Sequence, residues 1–300
     1  MAGRGNKQTE GGGILYVVAT PIGNPDDISA RAIRTLEEVS LIACEDTRRT
    51  GNMLARHQIH TPAVSHFEHN EERRVPELVA RLKAGENVAL VTDAGTPAIS
   101  DPGFRLVRAA LEANLRVIAV PGPSAAIAAL SIAGIPTDRF TFEGFIPARD
   151  AARHKALDQL RRETRTMVFY EAARRVEDTL GAMAAAFGES RDAALVCEIT
   201  KTYERTIRGT LGELERRFRT TPALGEITII VAGAPDMSST GGAADTVEVT
   251  IDVREALEVL REAGLGLKQA SAVVARLTGL PRREVYQDAL KAGHDDSGDD

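Results

Sequence analysis

The chain has 300 residues, 43% of them apolar, with 37 basic and 43 acidic side chains and a net charge of −6. That length suits about two domains, and the apolar content excludes a disordered chain. The acidic balance excludes a polybasic binder but not a local basic patch. The only two cysteines, Cys44 and Cys197, form no closely spaced pair. They exclude a disulfide framework and point to a reducing cytoplasm.

Residues 1–13 have no apolar stretch and read as a loose tail. Residues 14–20 (ILYVVAT) are a continuous apolar run, the mark of a strand buried on both faces. Pro21-Ile22-Gly23-Asn24-Pro25 is a turn, and Ser29 then caps a helix with Ala32, Ile33 and Leu36 on one face. Residues 41–44 predict a strand, 76–84 a helix closed by Gly85, 88–92 a strand, 104–113 a helix and 116–120 a strand. Residues 117–137 carry no charge. Pro121-Gly122-Pro123 and Gly134-Ile135-Pro136 nevertheless break them into a strand, a turn and a short apolar helix, so they do not span a membrane, which takes about 20 apolar residues. A second set follows: strands at 140–144, 166–170, 193–199 and 226–231, and helices at 153–163, 176–187 and 211–219. Strands alternating with helices predict an α/β fold with a largely parallel sheet. Residues 234–246 (APDMSSTGGAADT) have linker composition. Beyond them come three short amphipathic helices, with apolar faces at Ala256, Leu257 and Leu260, at Val273, Val274 and Leu277, and at Val285 and Ala289.

Four loops follow the apolar strands: 21–24 (PIGN), 45–48 (EDTR), 93–97 (DAGTP) and 121–125 (PGPSA). Ligands of parallel sheets bind beyond the carboxyl ends of the strands. Glycine permits close backbone approach, and a serine at a helix start adds a hydroxyl to free N–H groups. Neither GxGxxG nor GxxxxGK[ST] occurs, so no phosphate cradle is expected. His57, His60, His66 and His69 form two HxxH pairs, but without a nearby cysteine, and Thr61-Pro62 interrupts them. The expectation is a polar loop and no metal site. His69-Asn70-Glu71 groups a possible base with hydrogen-bonding partners. Residues 149–175 hold eight Arg or Lys against four acids, enough to neutralise several phosphates. No aromatic-interleaved single-strand-binding pattern accompanies them. Residues 267–285 have helix–turn–helix spacing, with Thr278-Gly279-Leu280 as the turn, Pro281 starting the next helix, and Arg276, Arg282 and Arg283 around it.

In this order, residues 15–24 (LYVVATPIGN), 43–48 (ACEDTR), 69–71 (HNE), 91–97 (VTDAGTP), 100–103 (SDPG), 121–124 (PGPS), 142–145 (FEGF) and 169–171 (FYE) form a series. It resembles the bacterial ribosomal RNA small-subunit methyltransferase I family, 2′-O-ribose cytidine methyltransferases of the tetrapyrrole-methylase superfamily. The match covers about residues 14–233, and the last helices resemble that family's helix–turn–helix-like extension. Two departures stand out. Pro25 replaces the family's usual leucine, and Ala172-Ala173-Arg174-Arg175 replaces a Ser-Pro-His-Arg-like run, leaving no histidine at position 174.

The resemblance implies two α/β subdomains, 14–121 and 122–233, with S-adenosylmethionine in the cleft between them. The linker at 234–246, the helical module at 247–292 and an acidic tail at 293–300 complete the chain. It implies cofactor contacts at Pro21, Gly23, Asp93, Ala94, Gly95, Thr96, Pro121, Ser124, Ala125, Tyr170 and Gly225. It also implies a cytidine in the decoding region of 16S ribosomal RNA as substrate, and usually a homodimer. The RNA-facing candidates are Arg48, Arg149, Arg153, Lys155, Arg161, Arg162 and Lys201. A ribose hydroxyl is a poor nucleophile until its proton is accepted. Glu45, Asp46, His69 and Glu71 are the candidates for that base or for an orienting group, and the residues alone leave the choice open. Lys201 could orient a phosphate or stabilise an alkoxide. The competing readings are methylation of a tetrapyrrole or another small molecule, and a non-catalytic RNA-binding assembly factor.

Overall fold

The computed structural model describes residues 11–235, 253–278 and 280–292. The chain divides into two units, residues 1–236 and 237–300. Positions 1–10 of the expected tail, positions 236–246 of the expected linker and the whole acidic tail lie outside the described residues.

The first unit contains two five-stranded sheets. One is built from β1 (Ile14–Val18), β2 (Leu41–Cys44), β3 (Ala63–Ser65), β4 (Val88–Leu90) and β5 (Arg116–Val120), all parallel, in the order β3-β2-β4-β1-β5. Alternate residues of its strands serve two cores. Val18, Ile42, Cys44, Ala89 and Val91 pack with α1 (Ala30–Glu38) and α2 (Thr47–Arg56) on one face. Leu15, Leu41, Ala43, Val88 and Leu90 pack with α3 (Glu71–Lys83) and α4 (Phe104–Glu112) on the other. The unbroken apolar runs in the sequence follow from this two-sided burial. Each fully buried leucine contributes about 1.5–3 kcal/mol.

The expected cap holds: Ser29 Oγ accepts from the Ala32 N–H at 3.0 Å. Helix α3 begins five residues before the expected start, with Glu71 and Glu72 in its first turn. Pro76, read as a helix opener, lies inside it and forgoes the N–H that would have reached the Glu72 carbonyl. Helix α2 and strand β3 were not anticipated. Helix α2 carries Gly51 and buries only Thr50 and Leu54, too thin a stripe to read, and β3 is three residues long.

The second sheet comprises β6 (Phe140–Phe145), β7 (Thr166–Ala172), β8 (Asp192–Cys197), β9 (Arg205–Thr210) and β10 (Glu226–Val231), in the order β6-β7-β10-β8-β9. Only the β6–β7 pair is parallel, so the expectation of largely parallel pairing holds for the first sheet and fails here. Strand β9, with Ile207 as its one buried residue, escaped the sequence reading. Helices α6 (Asp150–Leu160), α7 (Val176–Phe187) and α8 (Leu211–Thr220) flank this sheet and share one core with it. A second core joins α5 (Ala125–Ala133) to Val168, Ala194, Val196 and Ile230. The carboxyl end of α5 is capped by Arg208, which donates to the Ala133 carbonyl at 2.7 Å and to that of Ile132, a cation where the helix dipole is negative.

The second unit is a trio of helices, α9 (Val253–Glu262), α10 (Leu267–Thr278) and α11 (Arg282–Ala292), closed over Leu257, Ala270, Val274 and Val285. The expected face of α10 holds at Val274 and fails at Val273 and Leu277, which are exposed, while Ala270 joins Val274 inside. Ala270 and Ser271 are fully buried, and side chains this small let the neighbouring helices approach, which hydrophobicity alone does not foretell.

Candidate active site

The loops beyond β1, β4 and β5 are pinned to one another. Thr20 and Gly95 exchange two backbone hydrogen bonds, at 2.9 and 3.1 Å, as an isolated bridge. Thr20 Oγ1 donates to the Thr92 carbonyl at 3.0 Å, and Thr96 Oγ1 to that of Pro123 at 3.4 Å. Gly95 holds φ +86°, a left-handed backbone that side chains resist. Ala98 and Ser100, at φ +67° and +62°, adopt it without being glycine. Such strain persists only where the surroundings enforce it. Here Glu71 contributes: buried, it accepts the Gly103 N–H at 2.9 Å, lies 3.4 Å from Arg105 Nε, and is approached at 3.5 Å by His66 Nε2.

Across from these loops, the Tyr170 hydroxyl accepts the Ala126 N–H at 3.1 Å and its ring packs between Phe142 and Phe145. Gly225, at φ +76°, leaves space for the Glu198 carboxylate. A Cβ there would sit 1.7 Å from Glu198 Oε1, which accepts from Lys201 Nζ at 2.9 Å and from the Glu226 N–H at 3.0 Å.

Between the two sides lies a cavity of about 370 Å³, within the range of small-molecule sites. Of the expected cofactor residues, Ala94, Gly95, Thr96, Ser124, Ala125, Tyr170 and Gly225 line it, whereas Pro21, Gly23, Asp93 and Pro121 stand outside the wall. Gly23 serves a different contact: a Cβ would lie 2.7 Å from atoms of Thr200 and Lys201, and the adjacent Asn24 N–H donates to Thr200 Oγ1 at 3.0 Å. Asp93 accepts the Asp46 N–H at 3.1 Å and pairs with Arg49 at 3.2 Å.

None of the four base candidates lines the cavity. Asp46 caps α2, accepting the Arg48 N–H at 2.8 Å; the Arg48 side chain holds this carboxyl below the usual aspartate range. His69 is exposed, and Glu71 is a buried brace. Glu45 accepts the Thr92 hydroxyl at 3.1 Å. The carboxylates in the wall are Asp101, Glu171 and Glu226. Glu171 is tied up by Arg175 at 3.3 Å and Thr179 Oγ1 at 2.7 Å, and Glu226 meets Lys201 at 3.2 Å. Asp101, absent from the sequence candidates, has no ion-pair partner among the described residues. Burial, with the Glu45 charge adding to it, lifts its carboxyl to about 6.

The cationic candidates separate by exposure. Arg149, Lys155, Arg161 and Arg162 are exposed, and Arg48 is exposed while paired to Asp46 at 3.2 Å. Arg153 is corrected: it is only 6% exposed and paired with Asp150, so its guanidinium is withdrawn from a docking surface. Lys201 is held between Glu198 and Glu226. The HxxH pairs do not converge, since His66 is buried and His69 exposed. Among the described residues no group of three or more His, Cys, Asp or Glu could hold a metal ion, and no helix is long and apolar enough to cross a membrane. Cys44 and Cys197 are both free and buried.

Residues 14–215 match the family model described as Tetrapyrrole (Corrin/Porphyrin) Methylases, and residues 247–293 match that of the RsmI C-terminal HTH domain. The chain is 46% identical to "Ribosomal RNA small subunit methyltransferase I" of Pseudomonas aeruginosa, over 93% of this chain and 97% of the relative. It is 44% identical to the protein of the same name from Synechocystis, over 93% and 98%. Among solved structures, a cobalt precorrin-4 methyltransferase matches with TM-score 0.54 at 19% identity, over 73% of this chain and 94% of that one. A Thermus thermophilus uroporphyrin-III C-methyltransferase complexed with S-adenosylhomocysteine matches with TM-score 0.52 at 19% identity, over 74% and 97%. At these identities the structural matches bear on the fold alone.

Proposed function

The chain belongs to the tetrapyrrole methylase family and, within it, to the ribosomal RNA small subunit methyltransferase I group, and from that premise we propose that it methylates the 2′-oxygen of a cytidine ribose in the decoding region of small-subunit ribosomal RNA, with S-adenosylmethionine as donor. The observation that carries this reading is the cavity wall. Gly95 and Gly225 bring backbone to its surface, and the amino end of α5 opens onto it at Ser124 and Ala125. Ser124 makes no capping bond with its own hydroxyl, so that helix end suits a carboxylate. The Asp101 carboxylate suits a cation. These features fit an amino-acid-bearing sulfonium and need no phosphate or metal site. When bound, S-adenosylmethionine supplies an electrophilic methyl group. Gly95, Thr96, Ser124, Ala125 and Gly225 would hold and orient it, and orientation supplies much of the rate of such a transfer.

The RNA side of the reading rests on exposed cations. Phe145 lines the cavity and is 60% exposed, and Arg149 follows it closely at the start of α6. With Lys155, Arg161 and Arg162 it would meet phosphates at the cavity approach. A homodimer working on assembled subunits in the cytoplasm is part of the same reading. Helix α4 offers the dimer an apolar stripe in Phe104 and Leu111, 63% and 54% exposed and seven residues apart. The test supplies labelled S-adenosylmethionine to small subunits lacking their native ribose methyl groups and maps the label. An alkali-resistant cytidine linkage is the expected product. Label on a nucleobase, on protein or nowhere would refute the assignment.

A further inference from the structure

We infer that Ile99 and Phe145 form a slot at the mouth of the cavity that takes the nucleobase of the acceptor nucleotide, so that its ribose reaches into the cavity. The inference rests on the proposed ribose acceptor in RNA and names what holds it. Both side chains line the cavity, yet they are 52% and 60% exposed, which leaves much of each apolar surface to water. They come from opposite walls: Ile99 lies on the loop after β4, and Phe145 ends β6. The two segments meet beside them, where a Cβ added to Gly144 would lie 3.2 Å from Ser100 Oγ.

Both residues are presented by unusual backbone. The pairing of β6 with β7 slips between Phe142 and Gly144, leaving Glu143 as an extra residue. Side chains of a strand alternate between faces, so an unbulged β6 would turn positions 142 and 145 to opposite sides. The bulge, with Gly144 at φ +66°, sets Phe142 opposite Val168 and Phe145 opposite Tyr170. Both rings then meet Tyr170, at 5.0 and 5.5 Å between centroids. Bulges beside active sites re-aim side chains in this way. Ile99 stands between Ala98 and Ser100, both left-handed without being glycine, the kind of strain that gathers at ligand clamps. The chemistry of the pair identifies its occupant. A nucleotide whose 2′-hydroxyl enters a cavity must leave its stack, and its freed base gains by stacking on an aromatic ring or an apolar side chain. Arg149, four residues beyond Phe145, is exposed and has no ion-pair partner among the described residues, so a phosphate of the same strand finds a cation there.

The test uses the full-length protein, small subunits lacking ribose methylation, and the variants Phe145→Ala, Phe145→Tyr and Ile99→Ala. Lost stacking is expected to lower kcat/KM for small subunits about tenfold in Phe145→Ala and about threefold in Ile99→Ala, with Phe145→Tyr close to wild type. The loss should carry no salt signature. The dependence of log KM on log salt should keep its wild-type slope in every variant, because no phosphate contact is removed; a lost contact would lower it by about one unit. S-adenosylmethionine affinity, read by calorimetry, should fall by a smaller factor than kcat/KM for subunits, since the backbone that holds the cofactor is unchanged. Cofactor affinity falling by as much would assign the pair to the cofactor and overturn the slot. A Phe145→Ala protein within twofold of wild type on subunits would overturn it too. Sedimentation tests another occupant: a variant that loses the wild-type mass would show the pair to be covered by a second copy. Ile99 sits on a separate segment and makes no ring contact, so its variant decides the matter if Phe145→Ala fails to fold. If the wild type itself puts no label on ribose, both this inference and the reading beneath it fall. If the wild type labels ribose and the variants do so equally well, only the slot is wrong.

Discussion

At Gly95 one φ angle links sequence to binding. The bridge to Thr20 draws the loop after β4 against the end of β1, and the φ of +86° that this requires costs a residue with a side chain about 1–2 kcal/mol. A Cβ would lie 3.4 Å from Ile22 Cγ2, and Ile22 is itself part of the cavity wall. Gly95→Val is therefore expected to weaken S-adenosylmethionine binding at least tenfold, about 1.4 kcal/mol, and to lower Tm as well, because a β-branched residue is disfavoured in the left-handed region. Calorimetry with a chelator present measures this loss and checks that wild-type affinity is metal-independent. An unaltered variant affinity would place the loop outside the site. Residue types marked this loop, and they marked the 100–103 (SDPG) motif beyond it, but they gave Asp101 no role. Its distinction is burial beside Glu45, a residue far away in sequence. Arg153 is the converse case: its composition suggested a surface cation, and its helical phase put it under α6.

At the scale of elements, the join between α3 and α4 is held by a small polar cluster. Glu71 accepts the Gly103 N–H and meets His66, both with little water, and pairs with Arg105, whose side chain is largely exposed. Glu71→Ala removes the acceptor and leaves a buried donor unpaired, for which about 2–3 kcal/mol of stability is expected to be lost, read from the urea midpoint. His66 has no exposed side chain, and burial pushes its imidazole below the usual histidine range, with Arg74 adding to this and Glu71 opposing it. The fold thus prefers the neutral ring. The stability this gives is complete above the unfolded histidine value of about 6.5 and is lost as pH falls through it and towards the lower folded value. Asp101 works in the opposite direction, its penalty present above about 6 and relieved below. The difference between wild type and His66→Gln isolates the histidine: unfolding free energy should fall less steeply from pH 7 to pH 5 in the variant. Equal slopes would mean that the buried ring does not titrate in that window.

At the scale of the whole molecule, a chain of net charge −6 must attract a polyanion through a restricted surface. The exposed members of the basic segment, Arg149, Lys155, Arg161 and Arg162, are the surface available for it, and Arg153 is not. Each phosphate contact removed lowers the salt dependence of binding by about one unit of slope. The double variant Arg149→Glu with Lys155→Glu is expected to raise KM for small subunits and to reduce that slope by about two units, while S-adenosylmethionine affinity stays the same. Titrating KM against salt decides it. An unchanged slope would move docking to other cations, with Arg276, Arg282 and Arg283 of the helical unit next to be tested.

The sequence by itself determined the elements that bury continuous apolar surface. The strand spans at 116–120 and 226–231 and the helix at 176–187 were legible to the residue, because periodicity and turn residues are local properties. So were the loops that end the first sheet's strands, since glycine and proline are needed wherever a backbone turns or approaches closely. Helix α2 and strands β3 and β9 were not legible, because each is short and buries too little to carry a periodic signal. Only the tertiary structure decided the antiparallel pairings of the second sheet and the inward face of α10. It also assigned the carboxylates their roles: Glu71 bound into a brace, Asp46 into a helix cap, Glu171 and Glu226 into ion pairs, and Asp101 left unpaired at the cavity. Burial and charge proximity join residues distant in the chain, and the strength of a base depends on those neighbours rather than on its own local sequence.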